Sequence, residues 1–205
     1  MPPKTRAERI SKSDQQLSSD RKVTLISLLA AFVFLVVSLY AFNQLGQRYV
    51  PVPHIHSLTD RIVWTLRYQV LGLLAIIWSI SHVSLTRLMS PAINPLSGHE
   101  SVVDKSTRIL TNSLEQFVVN AINQLILSTY LSESNLRLIP LLNVYFLIGR
   151  LTFWIGYQIG PKYRTFGFVV SFWPTLITFG LNLYFLLTTN TNYLFEGGKP
   201  FGRPV

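Results

Sequence analysis

Three polar residues in a largely apolar stretch have the side-chain types and the spacing to bind a charged molecule. Arg108, Asn112 and Glu115 occur at positions i, i+4 and i+7, so an α-helix would place them on one face, here named the polar stripe. Between Glu115 and Glu133 the chain has no acidic or basic residue and is rich in apolar side chains, as in a helix that crosses a membrane. Ionisable groups in such a helix cost about 2.5–3.5 kcal/mol each on insertion scales, so they face a bundle interior, a partner charge or a polar ligand.

The composition indicates a polytopic membrane protein with one compact domain. The chain has 205 residues, of which 49% are hydrophobic and 13% charged, and its mean hydropathy is +0.34. Soluble domains contain about 25% charged residues. The low charged fraction of this chain indicates that much of its surface is apolar. There is no cysteine, which excludes disulfides, thiolate metal sites and a cysteine nucleophile.

The net charge of +9 raises the question of nucleic-acid binding, and the distribution of the basic residues argues against it. Six of the 18 Lys and Arg residues lie within residues 1–22, and most of the others flank apolar runs. Membrane proteins show this pattern because their cytosolic loops are enriched in positive charge. No single basic face is left over for a phosphate backbone, so we predict no nucleic-acid partner.

No motif of a soluble enzyme is present. His54 and His56 lack a third and a fourth ligand nearby, so we predict an ordinary exposed loop and no metal site. The chain contains no HExxH, GxSxG or P-loop pattern. A channel or transporter is also without support, since no inverted repeat is visible.

Apolar runs divide the chain into five predicted membrane-spanning helices. Residues 1–22 are predicted to be a disordered basic cytosolic tail and residues 23–44 a membrane helix, because about 20 apolar residues cross the hydrocarbon. This run is longer than the about 7–15 apolar residues of a signal peptide, which favours an uncleaved anchor with a cytosolic N-terminus. Residues 191–205 are predicted to be a luminal tail. The other four spans are predicted at about 62–88, 104–131, 138–158 and 165–195.

Alternation of the spans brings distant polar residues to one side of the membrane. Loops 88–104 and 159–164 both lie on the cytosolic side in such a topology, and the residues beside them can together bind a small anion or zwitterion. The alternative is structural: Glu115 pairs with Arg150 across two helices, and the other arginines bind lipid headgroups. Five residues are predicted at the cytosolic ends of spans two to five: Arg87, Arg108, Arg150, Tyr157 and Arg164.

Three motifs occur in order along the chain: R108-x-x-x-N112-x-x-E115, then R150-x-x-F153-x-x-G156-Y157, then R164. Together they resemble the MAPEG superfamily of membrane-associated proteins in eicosanoid and glutathione metabolism. The likeness covers residues 62–190 and is closest to mattrin-type proteins, through LEQFVVNAINQLILSTYL and LRLIPLLNVYFLIGRLTFWIGYQIGPKYRTFGF. The implied fold is an all-α membrane protein, a MAPEG-type antiparallel four-helix transmembrane bundle preceded by one extra N-terminal transmembrane helix.

The resemblance also implies a homotrimer that holds glutathione in clefts between neighbouring subunits. Arg87 would bind the glycyl carboxylate, Arg164 would stabilise the thiolate of a catalytic member, and Arg150 would brace a helix pair. The γ-glutamyl end would be held by four residues: Arg108, Asn112, Glu115 and Tyr157.

Two hypotheses of different classes remain open, and departures from the catalytic pattern bear on them. Phe153 stands where catalytic relatives have Tyr or His, and Gln116 stands where some relatives have an aromatic residue. In the first hypothesis the chain is an endomembrane protein of the ER, Golgi, secretory or lysosomal system that binds membrane-protein partners, as mattrin-type proteins act in trafficking and receptor control. In the second it is a glutathione-dependent transferase or peroxidase for lipophilic electrophiles. Arg164 discriminates between them, because only the enzyme needs a stabilised thiolate.

Overall fold

The structure is a computed structural model that describes residues 6–50 and 57–188, and over these residues it is helical with no strand. The predicted all-α membrane fold is therefore confirmed. His54, His56 and the predicted luminal tail lie outside the described residues. The five long helices are α1 (Arg6–Tyr49), α2 (Leu58–Leu88), α3 (Asp104–Tyr130), α4 (Leu138–Ile159) and α5 (Thr165–Thr188). Short 3-10 turns lie between them at Pro91–Ile93, Glu100–Val102, Glu133–Asn135 and Pro161–Arg164.

Helix α1 begins well ahead of the predicted boundary at residue 23. It starts at Arg6, so residues 6–22, which the sequence suggested as part of a disordered tail, continue the membrane helix in the structure. Good helix formers (Arg, Glu, Lys, Gln, Ala) dominate this segment, and neither proline nor glycine interrupts it. Extending an existing helix costs less than nucleating a new one, which accounts for the longer element.

Four helical segments of the described chain are long and apolar enough to cross a membrane, and α3 is not among them. They are Gln16–Gly46, Leu58–Leu88, Glu133–Ile159 and Pro161–Thr188. Helix α3 was predicted as the third span, and its 27 residues would extend about 40 Å. Its lower apolarity has a structural cause, because its buried face is composed mainly of amides and hydroxyls.

A network of buried side chains joins α3 to the other three helices of the bundle. Gln124 on α3 accepts hydrogen bonds from Gln69 on α2 (3.0 Å) and from Asn143 on α4 (2.6 Å). It donates to Asn120 (3.1 Å), which also accepts from Thr175 on α5 (3.1 Å). We name these five residues the amide network, and all five are buried. Hydrogen bonds between helices are one of the main attractions between helices in a membrane, so this network positions α3.

Two further contacts fix α3 against α5. Asn182 donates to the backbone carbonyl of Asn123 (2.9 Å), and Ser171 donates to Gln116 Oε1 (3.1 Å). Gln116 is thereby an internal contact between helices. The buried amides of α3, Asn120, Asn123 and Gln124, lie in its second half, and its first turns form the end of the bundle.

Helices α4 and α5 cross at close range because glycines face each other. A Cβ atom on Gly167 would lie 2.1 Å from the backbone nitrogen of Phe153, and one on Gly149 would lie 2.7 Å from the backbone nitrogen of Ser171. Small residues permit this approach in membrane bundles. The crossing brings the end of α4 and the start of α5 together.

Helix α1 packs on the outside of α4 and α5. Ser38 hydrogen-bonds Tyr145 (2.9 Å), the rings of Phe32 and Trp173 meet edge to face at 5.0 Å, and Lys162 makes an ion pair with Asp20 (3.0 Å). Over Gln16–Gly46 only a narrow face of α1 is covered, and many of its large apolar side chains remain exposed, as expected beside lipid.

Candidate functional site

The pocket of interest lies between the start of α3 and the end of α4, at the predicted cytosolic end of the bundle. Its volume is about 500 Å³, within the range of small-molecule sites, about 300–1,000 Å³. Arg108 and Tyr157, which come from different helices, both line it. The full lining, here called the α3–α4 pocket, is Ser101, Asp104, Lys105, Arg108, Tyr157, Gln158, Ile159, Gly160 and Pro161.

Sequence reasoning missed two charged residues of this pocket. Lys105 and Asp104 occupy the first turn of α3, and Lys105 Nζ contacts the backbone carbonyl of Gln158 at 3.4 Å. They lie three and four residues before Arg108, so helical spacing already placed them on the same side as the polar stripe. The pocket therefore contains cations, a carboxylate and a phenol.

Arg164 contacts the pocket through Tyr157. Its Nη1 donates to the Tyr157 hydroxyl at 3.2 Å, and its guanidinium carbon lies 5.1 Å from the ring centroid. The Pro161–Arg164 turn packs closely on α4, where a Cβ atom on Gly156 would lie 2.5 Å from the Tyr163 carbonyl oxygen. A guanidinium in this position can lower the pKa of a neighbouring thiol.

Arg150 links α4 to α3 through Asn112. Its Nη1 donates to Asn112 Oδ1 at 2.9 Å, and its guanidinium lies 4.3 Å from the centroid of the Phe153 ring. The ion pair between Arg150 and Glu115 that the structural alternative contained is not formed. The contact joins the two helices in the way that a bracing residue would, and the role of Arg150 stays a prediction.

The polar stripe is divided among three environments. Arg108 lines the pocket, Asn112 accepts from Arg150, and Glu115 is exposed on the outer face of α3. Glu115 has no hydrogen-bond or ion-pair partner within the described residues, and it lies about 16 Å along α3 from its first residue. A single chain thus does not gather the whole stripe around one ligand.

Arg87 has an internal partner outside the pocket lining. Its two terminal nitrogens donate to Glu100 Oε1 (2.8 Å) and Oε2 (2.7 Å), and Nη1 also donates to the Ala92 carbonyl (3.2 Å). These charge-assisted bonds lower the pKa of Glu100 from its ordinary value. Arg87 therefore fixes the connection between α2 and α3, and its proposed contact with a glycyl carboxylate is untested.

Comparison with known proteins agrees with the motifs in the sequence. The model of the MAPEG family matches residues 23–184, from α1 to α5. Transmembrane protein 79 of Mus musculus is 30% identical over 163 residues, which is 78% of this chain and 40% of that protein. Transmembrane protein 79 of Bos taurus is 29% identical over 158 residues, or 77% of this chain and 39% of that protein.

The chain spans about two fifths of the length of these curated relatives. No solved structure matches it. The matched range includes α1, which the sequence analysis placed ahead of a domain at 62–190, and that division stays a prediction. The resemblance recognised from three motifs is confirmed, and the chain belongs to the MAPEG family.

Proposed function

We propose that this integral membrane protein binds a glutathione-type zwitterion in the α3–α4 pocket and acts in the secretory pathway or in receptor regulation. The ligand proposal rests on one observation, a pocket of about 500 Å³ that combines Arg108, Lys105, Asp104 and Tyr157. Two cations suit carboxylates, one carboxylate suits an ammonium group, and the phenol donates or accepts a hydrogen bond. A tripeptide with both charges matches this set.

A homotrimer would complete the site, and the position of Glu115 supports this proposal. Glu115 is exposed in the middle of α3, where its carboxylate would face lipid. An ionisable group inside a membrane is unfavourable unless it has a partner. A neighbouring copy that covers the outer face of α3 would enclose Glu115 together with the bound ammonium group. Glutathione would then lie between subunits and contact both the pocket and the polar stripe.

The cellular role rests on the resemblance to mattrin-type proteins and not on the pocket. We propose an endomembrane location with a cytosolic N-terminus, because basic residues cluster in the N-terminal segment and at the same end of the bundle as Arg108 and Arg164. Trafficking or receptor control would then involve membrane-protein partners on the lipid-facing helices, with the zwitterion as a bound ligand.

The alternative is a glutathione-dependent transferase or peroxidase for lipophilic electrophiles. The contact of Arg164 with Tyr157 favours it, since a guanidinium beside the pocket would stabilise a thiolate. The residue type at Phe153 counts against it. A phenyl ring supplies neither the hydroxyl nor the imidazole that catalytic relatives have at this position.

Glutathione binding to the full chain in detergent tests the ligand proposal. We expect saturable binding by the wild type, and a loss of about tenfold or more in Glu115→Gln, since a hydrogen-bonded charge contributes about 1.5–3 kcal/mol. Glu133→Gln, which lies in the turn at the other end of α3, is the matched control and should bind as the wild type does. Absence of binding in the wild type would overturn the proposal.

Arg164→Ala separates the two functions. In an enzyme this variant abolishes conjugation of glutathione to a model electrophile while size-exclusion chromatography shows unchanged assembly. Arg137→Ala, at the opposite end of the bundle, is the control and should retain activity. If the wild type binds glutathione without any turnover, the result would support the non-catalytic role and exclude the transferase.

A further inference from the structure

Buried hydrogen-bond donors without acceptors follow one seam of the bundle, away from the α3–α4 pocket. Ser113 is 1% exposed and Arg150 is 3% exposed. The Ser113 hydroxyl, Nε and Nη2 of Arg150, and the indole nitrogen of Trp154 are buried and have no hydrogen-bond partner among the described residues. Native proteins rarely leave such groups unpaired, so a cluster of them indicates a missing partner.

The packing register places these donors together. The rings of Phe117 on α3 and Phe146 on α4 contact each other with centroids 5.9 Å apart. Ser113 lies one turn before Phe117 and Arg150 lies one turn after Phe146, and in antiparallel helices both steps lead toward the same end of the bundle. Trp154 follows one turn beyond Arg150, and its ring meets Trp78 and His82 of α2 at 5.4 and 5.3 Å. The donors therefore fall within about 10 Å along the bundle, where α3 and α4 meet α2.

The charge of Arg150 defines what the missing partner must be. Its one hydrogen-bond acceptor is the neutral amide of Asn112, and its guanidinium otherwise faces the Phe153 ring. Neither the ion pair of Arg87 with Glu100 nor that of Lys162 with Asp20 involves it. A buried charge without a counter-charge is strongly unfavourable. In this cluster the Arg150 and Trp154 nitrogens can only donate and the Ser113 hydroxyl can donate, so the missing partner is an acceptor, and an anion would also balance the guanidinium.

We propose that Ser113, Arg150 and Trp154 bind a small monovalent anion of the size of chloride between α3 and α4. A halide accepts hydrogen bonds from several directions, which suits a hydroxyl, a guanidinium edge and an indole N–H. None of these three residues lines the α3–α4 pocket, so the anion site is separate from the proposed glutathione site. By fixing the guanidinium that holds Asn112, the anion would stabilise the contact between α3 and α4.

Equilibrium dialysis of radiolabelled chloride against the full chain in detergent, without glutathione, tests this site. We expect saturable binding by the wild type. Ser113→Ala and Trp154→Phe each remove one donor and keep the charge, and each should weaken binding about tenfold, which corresponds to about 1.4 kcal/mol. Saturable binding that both variants retain at wild-type affinity would overturn the proposal.

Two neighbouring residues provide matched controls. Ser79 is also buried, but its hydroxyl donates to the Ala75 carbonyl at 2.9 Å, so Ser79→Ala removes no unpaired donor. Trp78 meets the Trp154 ring edge to face at 5.4 Å and is half exposed, so Trp78→Phe perturbs the same packing without removing a buried, unpaired N–H. Both controls should bind chloride as the wild type does, and weakening equal to that of the site variants would contradict the assignment.

Thermal unfolding gives a second readout that does not depend on dialysis. A ligand that binds only the folded state raises Tm with its concentration, so the Tm of the wild type should rise when chloride replaces gluconate at constant ionic strength. Arg150→Met should lose this dependence, and Ser113→Ala and Trp154→Phe decide the question if the arginine variant does not fold. A wild-type Tm that is independent of chloride, together with no saturable binding, would overturn the proposal. The acceptor for the unpaired donors would then be a buried water.

Discussion

The amide network and the polar stripe both place polar side chains on α3, and they differ in where the partners of those side chains are. Gln124 has hydrogen bonds to Gln69, Asn143 and Asn120, all within the chain. Arg108 and Glu115 have no hydrogen-bond or ion-pair partner within the described residues. Polar groups whose partners are internal hold helices together, whereas those without an internal partner are available for a ligand or a second subunit.

The largest effect on stability is expected from the amide network. Gln124→Leu removes the shared partner of three buried amides, and each amide left unpaired in a core costs about 1–3 kcal/mol, with membrane values nearer 0.6. We expect a loss of about 2 kcal/mol in the free energy of unfolding, measured by circular dichroism in detergent. Gln44→Leu, at an exposed position of α1, is the control and should leave stability unchanged. An equal loss in both variants would remove the contrast between the two regions.

A binding effect without a stability effect is expected from the polar stripe. Arg108→Met removes a cation from the pocket and no internal contact, so glutathione affinity should fall about tenfold to a hundredfold while Tm stays within about a degree or two. Isothermal titration calorimetry measures the affinity. Arg67→Met, which removes an exposed arginine near the start of α2, should leave affinity unchanged. A stability loss as large as that of Gln124→Leu would instead assign Arg108 to the structural class.

The smallest effect is expected from the Arg87–Glu100 pair, which belongs to neither region. The pKa of Glu100 is lowered in the folded state, so the pair stabilises the fold above the ordinary carboxyl pKa of 4.5, and the stabilisation disappears as the pH falls through the lowered value. Tm should therefore decrease slightly on acidification below pH 4.5. Glu100→Gln should flatten this part of the profile. The pair is solvated, so an identical profile in the variant would show that it contributes nothing measurable.

Much of the fold follows from local patterns in the sequence. Apolar runs predicted the positions of the long helices except the start of α1, and alternation of the spans predicted that Arg108 and Tyr157 approach each other. The start of α2 also has a local signal, since Ser57 and Asp60 form a capping box. These features depend on neighbours within a few residues or on the direction of whole helices, and both can be derived from one sequence.

The partners of individual side chains could not be derived in this way. Gln124 meets Gln69 across 55 residues, and a shift of one residue in the register of α2 against α3 would separate them. The exposure of Glu115 depends on the rotation of α3, where one residue corresponds to about 100°. The pairing of Arg87 with Glu100 depends on the conformation of the loop between α2 and α3, for which the sequence has no strong pattern.

The glycine crossing of α4 and α5 determines which wall of the α3–α4 pocket can move when a ligand enters. With the backbones near Gly149 and Gly167 in contact, a displacement of one helix carries the other with it, and Tyr157 moves together with Arg164. The opposite wall, formed by Asp104 and Lys105, contains no glycine crossing, and the contact of Lys105 Nζ with the Gln158 carbonyl joins it to α4. We therefore expect a guest molecule to enter by outward motion of the first turn of α3, while two residues without side chains keep the other wall rigid.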